Sequence, residues 1–264
     1  MQVRGLSPRT CSEYEKNLRY FARWAGPRGL RWSTLTRSDV NDYIIDRREI
    51  GDKPATCKLA VSILRSFFRW MVNEGMLKEN PLQYSQSPKT ENKLPVPVDI
   101  KAIDMYLAAE PIDDRDKICK IFTALVTDTG LRIQEALDID KTDIDFQAHS
   151  IKVKGKGNKE RLVYYSNRLV DALCVNLQEW NHGKLFNGID QLTMRQMVYE
   201  YLGRWIPKVH PHQLRHTFAT ECLNNGMRIE TVSRLLGHSS VQVTERYARL
   251  VQPNIEKEYT ENHP

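Results

Sequence analysis

Apolar residues recur at helical spacing through most of this chain and at strand spacing in one place. Tyr14, Leu18, Phe21 and Ala25 form one stripe across residues 7–25, behind a serine and a proline that suit the cap and first turn of a helix. After the turn GPRGL, a second helix beginning in Thr36-Arg37-Ser38-Asp39 turns Val40, Tyr43 and Ile44 inward. A third is predicted from near Pro54 to Asn73, with Leu59, Ile63, Phe67 and Trp70 as its apolar stripe and Lys58, Arg65 and Arg69 off it. These elements predict a small helical bundle over residues 1–82.

Periodicity then breaks. Residues 83–98, QYSQSPKTENKLPVPV, hold three prolines and few apolar positions, which reads as a linker. A second domain, residues 99–264, opens with helices expected at 98–109 and 117–128, the latter delivering Thr129-Gly130-Leu131-Arg132 to the start of another helix. Residues 150–165, SIKVKGKGNKERLVYY, alternate apolar and basic side chains around Gly155, Gly157 and Asn158, the pattern of two antiparallel strands and a turn. Residues 167–206 read as helical with breaks at 181–184 and 187–189, with Trp180, Phe186, Tyr199 and Trp205 expected in the core. The fold class expected is mainly α with a small antiparallel β-sheet: an N-terminal helical bundle and a C-terminal α+β domain.

Composition narrows the class. The chain has 264 residues, enough for two cores, and 41% hydrophobic content, ordinary for a soluble protein. It lacks an apolar run of membrane-spanning length and an apolar signal-like N-terminus, so a cytosolic protein is expected. Five cysteines lie far apart, which predicts mostly buried thiols and neither a disulfide framework nor a metal knuckle. The net charge of +6 is uneven: residues 1–96 carry 17 Lys and Arg against 10 Asp and Glu, and residues 97–264 carry 22 against 23. A basic first third suits a domain that grips a polyanion by its backbone; a merely soluble basic domain would look the same.

The segment from His210 to Leu250 carries the chemistry. Pro211 opens a helix with Leu214, Phe218 and Cys222 inward and Gly226 as its stop, so His212, Arg215 and His216 share roughly one face. The next helix, with Ile229, Val232, Leu235 and Leu236 inward, stops at Gly237 and leaves His238 just beyond. Ser239 or Ser240 can cap a third helix bearing Tyr247. Cations that bind phosphate grouped with one phenol exceed what packing requires, and Tyr247 reads as a nucleophile.

HxxR in one helix, LGH at the end of the next and a tyrosine nine residues later are similar to the C-terminal signature of the tyrosine recombinase (phage integrase) family. TGLRIQEAL, residues 129–137, and GKGNKERL, residues 155–162, stand upstream in the order that family uses. The resemblance implies a catalytic domain with Arg132, Lys156, His212, Arg215, His238 and Tyr247 as its active site. It implies double-stranded DNA as partner, a helical N-terminal domain closing over the duplex, and self-association in a synaptic tetramer, with a C-terminal tail either passed to a neighbouring copy or frayed as an ordinary terminus. Localisation at the nucleoid follows. Only six residues precede the first helix, which leaves no room for the arm-binding domain of larger integrases.

These residue types suit attack on a phosphodiester. Paired guanidinium donors of Arg132 and Arg215 can bind non-bridging oxygens, His212 and His238 add hydrogen bonds, and His212 is a reasonable base for the phenol. Lys156 in its turn is the candidate for protonating the leaving 5′ oxygen, giving a 3′-phosphotyrosine that a second 5′-hydroxyl can attack. No cofactor or metal is expected. A cation at the start of a helix opposes the dipole, and a phosphate beside Arg132 would remove that conflict, with Glu135 as an orienting group. His216 is expected as a packed or hydrogen-bonded helix residue, and Tyr164, Tyr165 and Tyr259 lack the LGH spacing of a nucleophile. The alternatives are a type IB topoisomerase-like relaxing enzyme and a catalytically silent DNA-binding regulator.

Overall fold

A computed structural model describes residues 8–84, 96–155, 160–176 and 183–238, together with Thr244 and Tyr247. Backbone packing divides the chain into two units, residues 1–92 and 93–264.

The first unit holds α1 (Pro8–Ala25), α2 (Arg37–Glu49) and α3 (Pro54–Asn73). Thr36 and Asp39 cap α2 reciprocally, each side chain bonding the other's backbone N–H. Phe21 sits at the centre, 4.9 Å from the Tyr43 ring and 5.3 Å from Trp32. The predicted stripe of α3 needs correction. Leu59 and Trp70 are exposed, while Cys57, Ala60, Ile63, Leu64, Phe68 and Met71 form the buried side. The apolar arc covers more than half of the helix, with Lys58, Ser62, Arg65 and Arg69 on the polar side, and the predicted stripe lies along one edge of that arc rather than at its centre.

In the second unit, α4 (Ile100–Ala108) leads to α5 (Asp114–Thr129), the central helix. It starts three residues earlier than expected because the Asp113 side chain accepts from the N–H of Asp116 at 2.8 Å. Residues 119–127 of α5 are all buried, and α7 (Asn167–Asn176), α8 (Gln191–Glu200) and α9 (Pro211–Asn224) pack around it. Lys120 is buried too, its Nζ donating to the carbonyls of Tyr106, Leu107 and Ala109 at the end of α4. These three acceptors are the orphan type that a helix C-terminus leaves.

The sheet has three antiparallel strands in the order β1 (Ile144–Asp145), β2 (Ser150–Lys154), β3 (Glu160–Tyr164), with Ile151 opposite Val163 and Val153 opposite Arg161. Strand β1 was not predicted; two residues are too few for alternation to show. The turn carrying Lys156 lies outside the described residues, as do Trp180 and the expected caps Ser7, Ser239 and Ser240.

Two aromatic core assignments are corrected as well. Phe186 is buried, but Tyr199 is 69% and Trp205 41% exposed. Helix α8 buries Met194, Met197 and Val198, so Tyr199 projects from the opposite face. Of the five cysteines, Cys57 and Cys119 are buried, Cys11 and Cys222 half-buried and Cys174 exposed. Among the described residues no helix is long and apolar enough to cross a membrane.

Candidate active site

Helix α5 ends at Gly130 in the left-handed region, φ +65°, and the chain turns at once through Leu131 and Arg132 into α6 (Ile133–Leu137). Arg132 therefore caps a five-residue helix rather than standing inside one. The Glu135 carboxylate answers its charge: Oε2 accepts from the Arg132 backbone N–H and Oε1 from Nη1, each at 2.9 Å. A phosphate is not needed to reconcile a cation with this position. Arg132 Nη2 also donates to the Gly237 carbonyl at 3.2 Å, and 39% of the side chain remains exposed.

Arg215 lies deeper. From the first half of α9 its Nη1 donates to the Gly130 carbonyl at 2.7 Å and its Nη2 to the Leu236 carbonyl at 2.8 Å. Leu236 is the last residue of α10 (Ile229–Leu236), which stops at Gly237 with φ +63°. One guanidinium thus ties together the ends of α5 and α10. Burial, with Arg132 close by, pulls the Arg215 pKa down to about 10.

His238 follows directly. Its Nε2 is 2.9 Å from Arg215 Nη2, and its Nδ1 is 2.8 Å from Thr244 Oγ1. An arginine can only donate, so Nε2 accepts, and the neutral ring carries its proton on Nδ1, directed at Thr244. Arg132, Glu135, Lys154, Arg161, Gly237 and His238 line a cleft of about 860 Å³ that also takes in Gly155, the immediate neighbour of Lys156.

The remaining candidates sit to one side. Tyr247 is 3% exposed among Phe218, Ala219, Val232 and Leu236, and its hydroxyl is 2.7 Å from His216 Nδ1. His212, one turn before His216 on α9, stacks on that ring with centroids 6.1 Å apart. His212 lines a separate cavity of about 370 Å³ with Leu131, Ile133, Arg195 and Tyr199. Loss of hydration there, followed by the charge of Arg215, holds its imidazole below the ordinary range. The structure therefore joins Arg215 directly to His238, brings Arg132 to the same helix ends through Glu135 and the Gly237 carbonyl, and places Tyr247 against His216, which stacks on His212.

The whole length of the chain corresponds to known proteins. Residues 99–252 match the model of the phage integrase family, and residues 1–75 match that of the phage integrase N-terminal SAM-like domain. The chain belongs to the phage integrase family. A tyrosine recombinase XerC of Listeria innocua serovar 6a is 30% identical over 284 aligned residues, covering 99% of this chain and 93% of that relative. A tyrosine recombinase XerD of Proteus mirabilis is 28% identical, covering 98% and 88%. In fold the chain is similar to a Tn1549 transposon integrase solved in complex with transposon right end DNA, with TM-score 0.77, 17% identity and coverage of 98% and 96%.

Two further groups of this cluster lie outside the sequence-based assignment. Arg161 donates from Nη1 and Nη2 to Glu135 at 3.2 and 2.8 Å and from Nε to the Leu235 carbonyl at 3.0 Å. Burial alone would raise the Glu135 pKa, but these bonds and the Arg132 N–H outweigh it and hold the carboxyl below its usual range. A signal was present: alternation along β3 puts Arg161 on the side of the buried Val163, with Leu162 and Tyr164 outward. The second is Thr244, fully buried beneath His238, which has no sequence signature.

Proposed function

We propose that this chain is a site-specific DNA recombinase, cleaving and rejoining strands through a 3′-phosphotyrosyl link to Tyr247. The observation that carries the reading is the meeting of Arg132, Arg215 and His238 where α5 and α10 end, in a chain whose curated relatives are named tyrosine recombinases. Arg132 opens onto the 860 Å³ cleft and supplies planar donors to the non-bridging oxygens of a phosphodiester, while the buried Arg215, bonded to the cleft-lining His238, adds positive charge that stabilises the transition state as the phosphorus is attacked. The carbonyls and Glu135 that hold them set their geometry before substrate arrives.

In this scheme Tyr247 Oη attacks phosphorus and the 5′ oxygen leaves, taking a proton from Lys156. His238 bears on the phosphate. His238 can donate from Nε2 only when that nitrogen carries a proton, in the doubly protonated ring or the other tautomer, with its Arg215 contact given up to the substrate. The phosphotyrosine keeps the bond energy, so a 5′-hydroxyl from a second strand can reseal the junction without a cofactor. Duplex DNA is the partner, gripped on its backbone by the basic first domain, and a tetramer on two sites is the assembly that exchange requires.

The test begins with a pool of nicked duplexes of randomised sequence, from which covalent protein–DNA adducts are recovered. Adducts should form with the unaltered protein and vanish with Tyr247→Phe; persistence in that variant would remove Tyr247 as nucleophile. Plasmids bearing two copies of the recovered site should then yield exchanged products. Relaxation without exchange would favour the topoisomerase-like alternative.

A further inference from the structure

We infer that His216 is the group that takes the phenolic proton of Tyr247 during cleavage and returns it during rejoining, a role that rests on the recombinase reading above. Its Nδ1 stands 2.7 Å from Tyr247 Oη, a proton-transfer distance, with ring centroids 5.4 Å apart.

The neighbouring groups are less suited to this transfer. Arg132, Arg161 and Arg215 are donors and cannot accept a proton. His238 has its Nε2 against Arg215 and its Nδ1 against Thr244. His212, the base assigned from sequence, lines the 370 Å³ cavity and stacks on the ring of His216. An imidazole is the side chain whose ordinary pKa lets it accept and release a proton near neutrality.

The step balances. As Tyr247 Oη forms its bond to phosphorus, its proton passes to His216 Nδ1 and makes an imidazolium. The bond from phosphorus to the 5′ oxygen breaks, and that oxygen takes its proton from Lys156. In rejoining, a 5′-hydroxyl attacks phosphorus and gives its proton to Lys156, while the phenolate leaves and recovers its own from His216. His216 is thus a catalytic residue by contact with the reacting oxygen, and its place four residues after His212 on α9 keeps it on the side of the helix that faces Tyr247.

The experiment measures the rate of covalent adduct formation on nicked duplexes enriched from the randomised pool, in His216→Gln and in the unaltered protein. Glutamine can still accept a hydrogen bond from the phenol but cannot take its proton, so the rate should fall about 100-fold or more. Replacing Tyr247 with a fluorinated tyrosine, whose more acidic phenol needs less help, should restore at least tenfold of that loss in His216→Gln. An undiminished rate in His216→Gln overturns the inference. So does a slow His216→Gln that binds DNA and keeps its circular dichroism but gains nothing from fluorotyrosine, since the histidine would then only shape the pocket. If the unaltered protein itself gives no Tyr247 adduct, the recombinase reading fails first and this role falls with it.

Discussion

Arg161 Nη2 lies 2.8 Å from Glu135 Oε2, a nearly buried ion pair that joins β3 to the short helix after Arg132. Glu135 is the shared counter-charge of the cluster, because Arg132 bonds it too and Arg215 Nη1 comes within 4.0 Å of it. Three cations can stand this close only around such an anion.

Removing that anion should therefore be costly. Glu135→Ala leaves buried positive charge without its partner, and a loss of about 3–5 kcal/mol is expected in urea unfolding. The pair also predicts an acid dependence. The folded-state pKa of Glu135 is depressed, so its contribution is fully present above the unfolded value of about 4.3 and is lost as pH falls through the folded value. Unfolding free energy measured down through that window should decline in the native protein and decline less steeply in Glu135→Gln.

Gly130 supplies a second test. Its φ is +65°, and a Cβ there would stand 2.3 Å from Phe218 Cδ1 and 2.8 Å from Leu236 Cδ2. Gly226 has φ +83° with nothing within 4 Å. Alanine at 226 should cost about 1–2 kcal/mol, the left-handed penalty alone. Alanine at 130 should cost about 3 kcal/mol or more, since overpacking adds to it, and the difference is readable from chemical denaturation. Equal losses would mean that the α5 terminus yields easily.

Arg215→Lys should separate charge from geometry. A lysine keeps the charge but cannot reach Gly130, Leu236 and His238 at once with a planar fork. Adduct formation on the enriched duplexes should drop about 100-fold or more, while gel-shift affinity for the same DNA changes only a few-fold.

Thr244→Val should release His238. The valine keeps the volume and loses the hydroxyl that Nδ1 addresses at 2.8 Å. Stability should fall by about 1 kcal/mol. The adduct rate should fall as well, and restoration by Thr244→Ser would assign the loss to the hydroxyl.

Among the described residues, the helix positions, the paired strands β2 and β3 and the motifs around Arg132, Arg215 and His238 were legible because each is a local pattern: an apolar period, a cap, a glycine at a stop. The places where reading failed share one cause. In α3 the apolar arc is wider than the buried side, and the stripe read along one of its edges leaves out Cys57, Ala60, Leu64 and Phe68, which the bundle buries. Tyr199 and Trp205 are large aromatics that α8 and the turn after it leave half outside, because Met194, Met197 and Val198 already fill the interior.

The chain by itself determined the family, the order of its elements and the side chains that could serve a phosphodiester, since those are matters of residue type and spacing. Folding alone decided that Arg161 completes the charge balance at Glu135, that Thr244 orients His238, and that His216 rather than His212 meets the phenol. Each of these is a distance across the molecule, and periodicity along one helix or strand carries no information about what stands opposite it.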